Sequence, residues 1–232
     1  MSSSFILPPS SFQYTFPSNA AFGRVIPKSK IYEHASPSTR IKELFVREVE
    51  KITWSYKLSP ETINLPAKEG VQEIQVFTIT LKTGKLSHDV LQTIDKAIPS
   101  PILFVVNFDE QVRYVAAYKR PSEADKKKWV VSGYFETGWE NKDVERIELP
   151  VVLNLGALYR TILKDIIPLS VRKNESLDGL VARLDILRIK EREMFKVQAR
   201  LKKEKQFNRK VEINRALNEL KSEIRNLKDG QK

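Results

Sequence analysis

The apolar positions of this chain change period several times, and each change marks an element. In QEIQVFTITLK (72–82), Ile74, Val76, Thr78, Thr80 and Lys82 share one face, while Glu73, Gln75, Phe77, Ile79 and Leu81 share the other. A period of two predicts a strand, ended by Thr83-Gly84. Ser87 then precedes Val90, Leu91, Ile94 and Ile98 at helical spacing, which predicts a helix capped by Ser87 and stopped by Pro99 and Pro101. ILFVVNF (102–108) is an unbroken apolar run of strand length. Strand, helix and strand in this order predict a parallel, right-handed crossover. Asp109-Glu110 reads as a hairpin turn into VRYVAAYK (112–119). WVVSGYF (129–135) is a further strand and ERIEL (145–149) a short edge strand.

Upstream, Ser38 or Thr39 is placed to cap a helix whose face holds Ile41, Leu44, Phe45, Val49 and Ile52, closed by Trp54, Tyr56 and Leu58. Downstream, Asn154 caps an amphipathic helix through Leu158, Ile162 and Ile166 that ends at Pro168. Residues 31–170 therefore predict a mixed α+β (α/β) domain, with a four- to five-stranded mixed sheet flanked by helices. Residues 1–30 are Ser/Pro-rich without helical or strand periodicity. Their scattered aromatics suggest a segment lying over the domain surface.

The C-terminal region, 174–229, has a different rhythm. Asn174 or Ser176 caps a long helix with Leu177, Leu180, Leu184 and Leu187 at alternating three- and four-residue spacing, continued by Met194, Val197 and Leu201. A second stripe runs through Ile213, Leu217, Leu220, Ile224 and Leu227. At about 100° per residue the second stripe falls roughly 100–120° away from the first. A single coiled-coil seam drifts only about 20° per heptad. The slip predicts a break near 205–209, with Asn208 as candidate cap, giving an antiparallel pair of about 42 and 30 Å. One continuous bent helix is the alternative.

Composition narrows the chemistry. The chain has no Cys, which excludes disulfides, thiolate metal sites and thiol nucleophiles. The N-terminus lacks a basic region followed by a signal-length apolar core, and the apolar runs are too short to span a bilayer, so a cytoplasmic protein without a membrane partner is expected. The net charge is +11, of which Val171 to Lys232 carries +8, with 18 Lys/Arg against 10 Asp/Glu. Such concentration points to an acidic partner, nucleic acid above all, or to a solvated helix built from good helix formers.

No Walker loop, dinucleotide fingerprint, HExxH or GxSxG is present, and no cofactor or metal is predicted. His34 and His88 stand apart and read as surface or capping residues. One weak catalytic pattern exists. Metal-dependent nucleases of the restriction-enzyme class pair acidic ligands with a strand Lys. Here the strand ends in Thr80-Leu81-Lys82, with Thr at the acid position. Lys82, Glu73 and Glu48 are the weak candidates, although Glu73 lies on the opposite strand face from Lys82. The polar run 120–128 is a candidate phosphate contact or a solvated connector.

The stronger pattern surrounds RLKKEKQFNRKVEIN (200–214), with six basic and two acidic residues. Arg192, Lys196, Arg200 and Lys203 fall within about 80° of one another, away from the apolar stripe. Lys205, Arg209 and Lys210 continue around the expected tip. These residues suit phosphates without reading sequence. Phe207 stacks on a base or packs into the hairpin end, and Glu191, Glu193 and Glu204 can neutralise part of the array.

Five strings, SPETINLPA (59–67), EIQVFTITLK (73–82), IDKAIPSPILF (94–104), VAAYKRPSEAD (115–125) and KEKQFNRKVEIN (203–214), resemble those of the bacterial domain-of-unknown-function family 4391. The likeness runs from about Ile26 to the C-terminus. It carries no active site over. It implies a setting beside superfamily 2 helicases and DNA methyltransferases, in restriction or phage-defence clusters. The expectation is a non-enzymatic accessory subunit that docks a helicase or methyltransferase and contacts DNA through its basic hairpin. A divergent magnesium-dependent nuclease and a pure protein-interaction module are the alternatives.

Overall fold

Residues 12–30, expected to lack regular structure, contribute two strands and the start of a helix. The computed structural model describes residues 12–68, 70–121 and 129–230, and the chain divides between Pro168 and Leu169 into two units. In the first unit, β1 (Gln13–Thr15), β2 (Ala21–Val25) and α1 (Lys28–Ala35) precede α2 (Thr39–Glu48). β2 pairs antiparallel with the next strand, across a register shift at Gly23, whose φ is +66°. That left-handed backbone suits Gly and little else. The N-terminal aromatics do lie on the sheet: Phe16 stacks on Tyr56, and Phe22 packs on Trp54.

The helix predicted to run past Val49 stops at Glu48. β3 (Val49–Leu58) begins at the next residue. Val49 and Ile52 keep helical spacing with Phe45, which misleads. The decisive signal is the β-branched and aromatic run from Val49 through Thr53, Trp54 and Tyr56, which favours a pleated surface. A short helix, α3 (Pro60–Ile63), follows; Ser59 and Thr62 form a reciprocal capping box.

β4 (Ile74–Leu81), α4 (His88–Ala97) and β5 (Ile102–Phe108) form the predicted crossover, with β4 and β5 parallel from Gln75↔Ile102 to Thr80↔Asn107. The two-residue turn Asp109-Glu110, with Asp109 at φ 49°, leads into β6 (Gln111–Pro121). β7 (Trp129–Glu136) and β8 (Glu140–Asn141) both pair with β6. β9 (Arg146–Glu148) pairs with β1 in a separate ribbon. Asn154 caps α5 (Leu155–Ile166) by accepting from the Ala157 amide at 2.9 Å. Among the described residues the main sheet runs β2-β3-β4-β5-β6-β7 with β8 attached, seven strands where four or five were expected. The additions are β2, β3 and β8. Phe45, Phe77, Ile79, Leu91, Ile94 and Phe104 centre the core. Each such burial contributes about 1.5–3 kcal/mol.

The second unit is a helical pair, α6 (Leu177–Lys203) and α7 (Phe207–Lys228). Ser176 caps α6 as expected, its hydroxyl accepting from the Gly179 amide. The helices are antiparallel and about 40 and 33 Å long. Both predicted stripes meet in the seam: Leu180, Leu184 and Leu187 are buried with Ile213, Leu217 and Ile224. The break falls at residues 204–206, so Asn208 sits inside α7 and caps nothing. Glu204 makes the break instead: its Oε1 accepts from the amides of Lys205 and Gln206 at 2.8 and 2.9 Å.

Candidate functional site

The hairpin separates its charges along its length. In the half facing the loop, residues 192–219, nine Lys/Arg stand against four Asp/Glu, a net +5. At the open end, residues 172–191 and 220–229, eight stand against six. The open end is cross-linked by pairs. Lys190 reaches Glu223 at 2.9 Å, Lys228 reaches Glu191 at 2.8 Å, and the buried Arg183 grips Glu175 through two bonds of 2.7 Å. Arg183 also donates to the carbonyls of Leu227 and Ser170, tying α6 to the last turn of α7.

In the loop-facing half the described residues include one such pair, Arg215 with Glu219 at 3.3 Å within α7. Among the described residues, Arg192, Lys196, Arg200, Lys203, Lys205, Arg209 and Lys210 have no carboxylate within 4.0 Å. Glu191 and Glu193, the expected neutralisers, pair with Lys228 and Lys190 instead. Glu204 is committed to the loop amides. Those amide bonds, with a smaller pull from Arg209 and Arg200, hold its carboxyl below the usual range.

Helix electrostatics sharpen the point. Arg200, Lys202 and Lys203 sit in the last turn of α6, where cations offset the negative end of the helix dipole. Arg209 and Lys210 sit in the first turn of α7, at the positive end, with no acidic residue there. Helix stability accounts for the first group and disfavours the second. Phe207, at the start of the same turn, is 77% exposed and does not pack into the hairpin end. Val211, one turn further on, is also exposed.

The nuclease candidates have other work. Glu73 and Lys82 flank β4 at opposite ends, about 30 Å apart along the strand. Lys82 donates from Nζ to the Val46 carbonyl at 2.9 Å, and Lys28 donates to those of Phe45 and Val49. Lys82 thus bonds a carbonyl in the last turn of α2, and Lys28 bridges that turn to the start of β3. Glu48 is buried and accepts from the Ser87 amide and hydroxyl at 2.7 and 2.8 Å, and from Arg47 at 3.1 Å. Burial alone would raise its carboxyl, but the bonds from Ser87 and Arg47 outweigh that and hold it below the ordinary value. Ser87 therefore does not cap α4 with its own side chain; it receives the cap from Glu48. Glu73 accepts from Gln75 and Ser100 and pairs with Lys57. Among the described residues, no group of three His, Asp or Glu stands close enough to hold a metal ion. Residues 122–128 of the polar run lie outside the described residues; Arg120 is within β6.

One constellation escaped the sequence. Lys119 on β6 is 2% exposed and donates to Asp95 Oδ1 at 2.8 Å and to the carbonyls of Ile98 and Ser100 at 2.8 and 2.9 Å. Tyr134 of β7 donates to the other Asp95 oxygen, and His88 lies against the Tyr134 ring. Burial raises the Asp95 carboxyl against the pull of Lys119, and lowers Lys119 against the pull of Asp95. A cavity of about 540 Å³ adjoins it, bordered by Gln92, Trp129 and Val131. Both Asp95 oxygens are engaged and the ammonium is saturated, so the cluster fastens the end of α4 to the sheet. The available signal was parity: Lys119 shares its strand face with the buried Val115 and Ala117. Its partners come from strings far apart in the chain.

Among the described residues, no helix is long and apolar enough to cross a membrane. Comparison with curated proteins found no match, and comparison with solved structures found none. The family comparison agrees with the likeness carried by the strings in β4, α4, β6 and the hairpin loop: residues 15–224 match the Domain of unknown function (DUF4391) family, and the chain belongs to it.

Proposed function

We propose that the protein is a non-enzymatic accessory subunit of a bacterial DNA-modification or phage-defence system, contacting the nucleic-acid backbone through the loop-facing half of its helical hairpin. The observation that carries this is the placement of Arg209 and Lys210 at the positive end of α7, beside further cations that have no carboxylate partner. A solvated face built for helix stability would put cations at the other end and intersperse acids. Local rules are broken where function requires it. Phosphates supply the missing counter-charge, and the exposed Phe207 is free to stack on a base.

The test is duplex and single-stranded DNA binding by fluorescence anisotropy between about 50 and 200 mM salt. If the array neutralises about four phosphates, log K falls with log salt at a slope near −3.6 for duplex. Reversing Lys196, Arg200, Lys203 and Lys210 to Glu abolishes binding while leaving the helical circular dichroism intact. Binding that survives the reversal refutes the reading.

A second reading, a protein-interaction module for a helicase or methyltransferase subunit, has its own observation. Ile186 and Ile189, three residues apart on α6, are about half exposed outside the buried seam. Co-purification with a co-expressed partner that survives high salt and is lost in the double Ser variant would establish it.

A further inference from the structure

We propose that the cavity between the sheet and the helices α1 and α4 is a binding site for a neutral, planar nitrogen heterocycle of the nucleobase class. This stands independently of the hairpin. The cavity has a volume of about 310 Å³, and Ile26, Ile31, Trp54, Gln75, Phe77 and Ile98 are among its walls. That is near the lower end for small-molecule sites, about 300–1,000 Å³, and too small for an extended dinucleotide.

Two polar atoms of its lining residues are buried without a hydrogen-bond partner: the indole N–H of Trp54 and the amide Oε1 of Gln75. One is a donor and the other an acceptor. Gln75 is 3% exposed, and its orientation is set by its neighbour. Its Nε2 donates to Glu73 Oε1 at 2.7 Å, a carboxylate with no proton to return, so the oxygen is what remains. Gln75 and Phe77 share one face of β4, and Trp54 is the register partner of Phe77 on β3. Donor and acceptor thus lie on one sheet face. Buried orphan groups are expensive, and two on the residues of one cavity suit a ligand that carries both an acceptor and a donor.

The remaining walls select shape and charge. The Trp54 and Phe77 rings are within 6° of parallel, which favours a flat ligand. Glu73 is already bonded by Gln75, Ser100 and Lys57, and Lys30 by Glu33, so neither calls for a charged ligand. A flat, uncharged ring that carries both an acceptor and a donor describes a nucleobase. Proteins that hold an unstacked base use the same combination of edge bonds and aromatic walls. Both orphan atoms are shielded from water, so forming these bonds takes a side-chain rotation and association falls well below the diffusion limit.

The test uses the full chain and the indole N–H resonance of Trp54, assigned by its disappearance in Trp54→Phe. Adenosine, guanosine, cytidine and thymidine are titrated separately to about 1 mM, followed by a short single-stranded oligonucleotide. At least one nucleoside, or the oligonucleotide, is expected to move the Trp54 resonance downfield in a saturable way. Gln75→Met is expected to weaken that binding about tenfold while raising the melting temperature of the free protein, because it removes an orphan acceptor. A response to nucleosides identifies a free base as ligand. A response to the oligonucleotide alone, persisting in the hairpin charge-reversal variant, identifies a base within a strand. If Gln75→Met and Trp54→Phe raise the melting temperature but no probe moves the resonance, the orphan pair is a packing defect and the proposal fails.

Discussion

Replacing Lys119 by Met keeps the length of the side chain and removes all three donors. In the native protein those donors hold Asp95 Oδ1 and the carbonyls of Ile98 and Ser100, with the two charged side chains 1% and 3% exposed. Among the described residues, the variant leaves a buried carboxylate bonded only by Tyr134, and two carbonyls just past the end of α4 without this donor. Breaking one side of a buried pair costs about 3–5 kcal/mol. Against a total of about 5–15 kcal/mol for a typical domain, that is a large fraction. The double variant Lys119→Met/Asp95→Asn removes both charges while the amide keeps the Tyr134 bond, and should recover more than half of the loss. The burial-raised carboxyl of Asp95 gives a pH signature. Between its unfolded and raised folded values, folding takes up a proton, so stability falls as pH rises across that window. With the cation gone the window extends upward, and the single variant is less destabilised at pH 5 than at pH 8. Urea titrations of the sheet unit, followed by Trp fluorescence at both pH values, check this. A cost below about 1 kcal/mol, or a double variant no more stable than the single one, refutes the account of the cluster as a buried fastening.

Other outcomes follow from the same contacts. Leu217→Ala in the hairpin seam should cost about 2–5 kcal/mol and unfold α6 and α7 together, read by loss of helical circular dichroism in urea. The side-chain bonds from Arg183 hold the Glu175 carboxyl below its ordinary value of 4.5. Its contribution is therefore complete above about 4.5 and lost as pH falls through the lower folded value, so acid titration should loosen the hairpin and Glu175→Gln should flatten that response. Lys82→Ala should change stability by about 1 kcal/mol or less, since the ammonium is exposed and bonds one helix-end carbonyl; magnesium-dependent DNA cleavage lost in this variant would instead make Lys82 catalytic. Phe207→Ala should leave the melting temperature unchanged, because the ring is exposed, yet weaken single-stranded DNA binding severalfold.

Local periodicity by itself determined the crossover β4-α4-β5, the hairpin at Asp109-Glu110 and the capped helix α5, and it favoured paired helices over one bent helix in the second unit. In the crossover, the hairpin turn and α5, the side-chain period and its punctuation agree, so a short stretch carries its own answer. The phase slip between the two stripes even located the hairpin loop within a few residues. Tertiary structure decided the rest. β3 was obscured because Val49 and Ile52 satisfy a helical face and a strand alike, and only pairing with β4 separates them. β2 is a strand because β3 offers it an edge across the Gly23 irregularity. Glu204 ends α6 with a bond that propensity does not encode. The site chemistry divides in the same way. The basic array is a property of one continuous segment and is read directly, whereas its freedom from neutralisation depends on Glu191 and Glu193 finding partners elsewhere. The Asp95–Lys119–Tyr134 fastening and the orphan atoms of Trp54 and Gln75 depend on which residues different strands and helices bring together. Their chemistry lies in those contacts, which local sequence spacing does not specify.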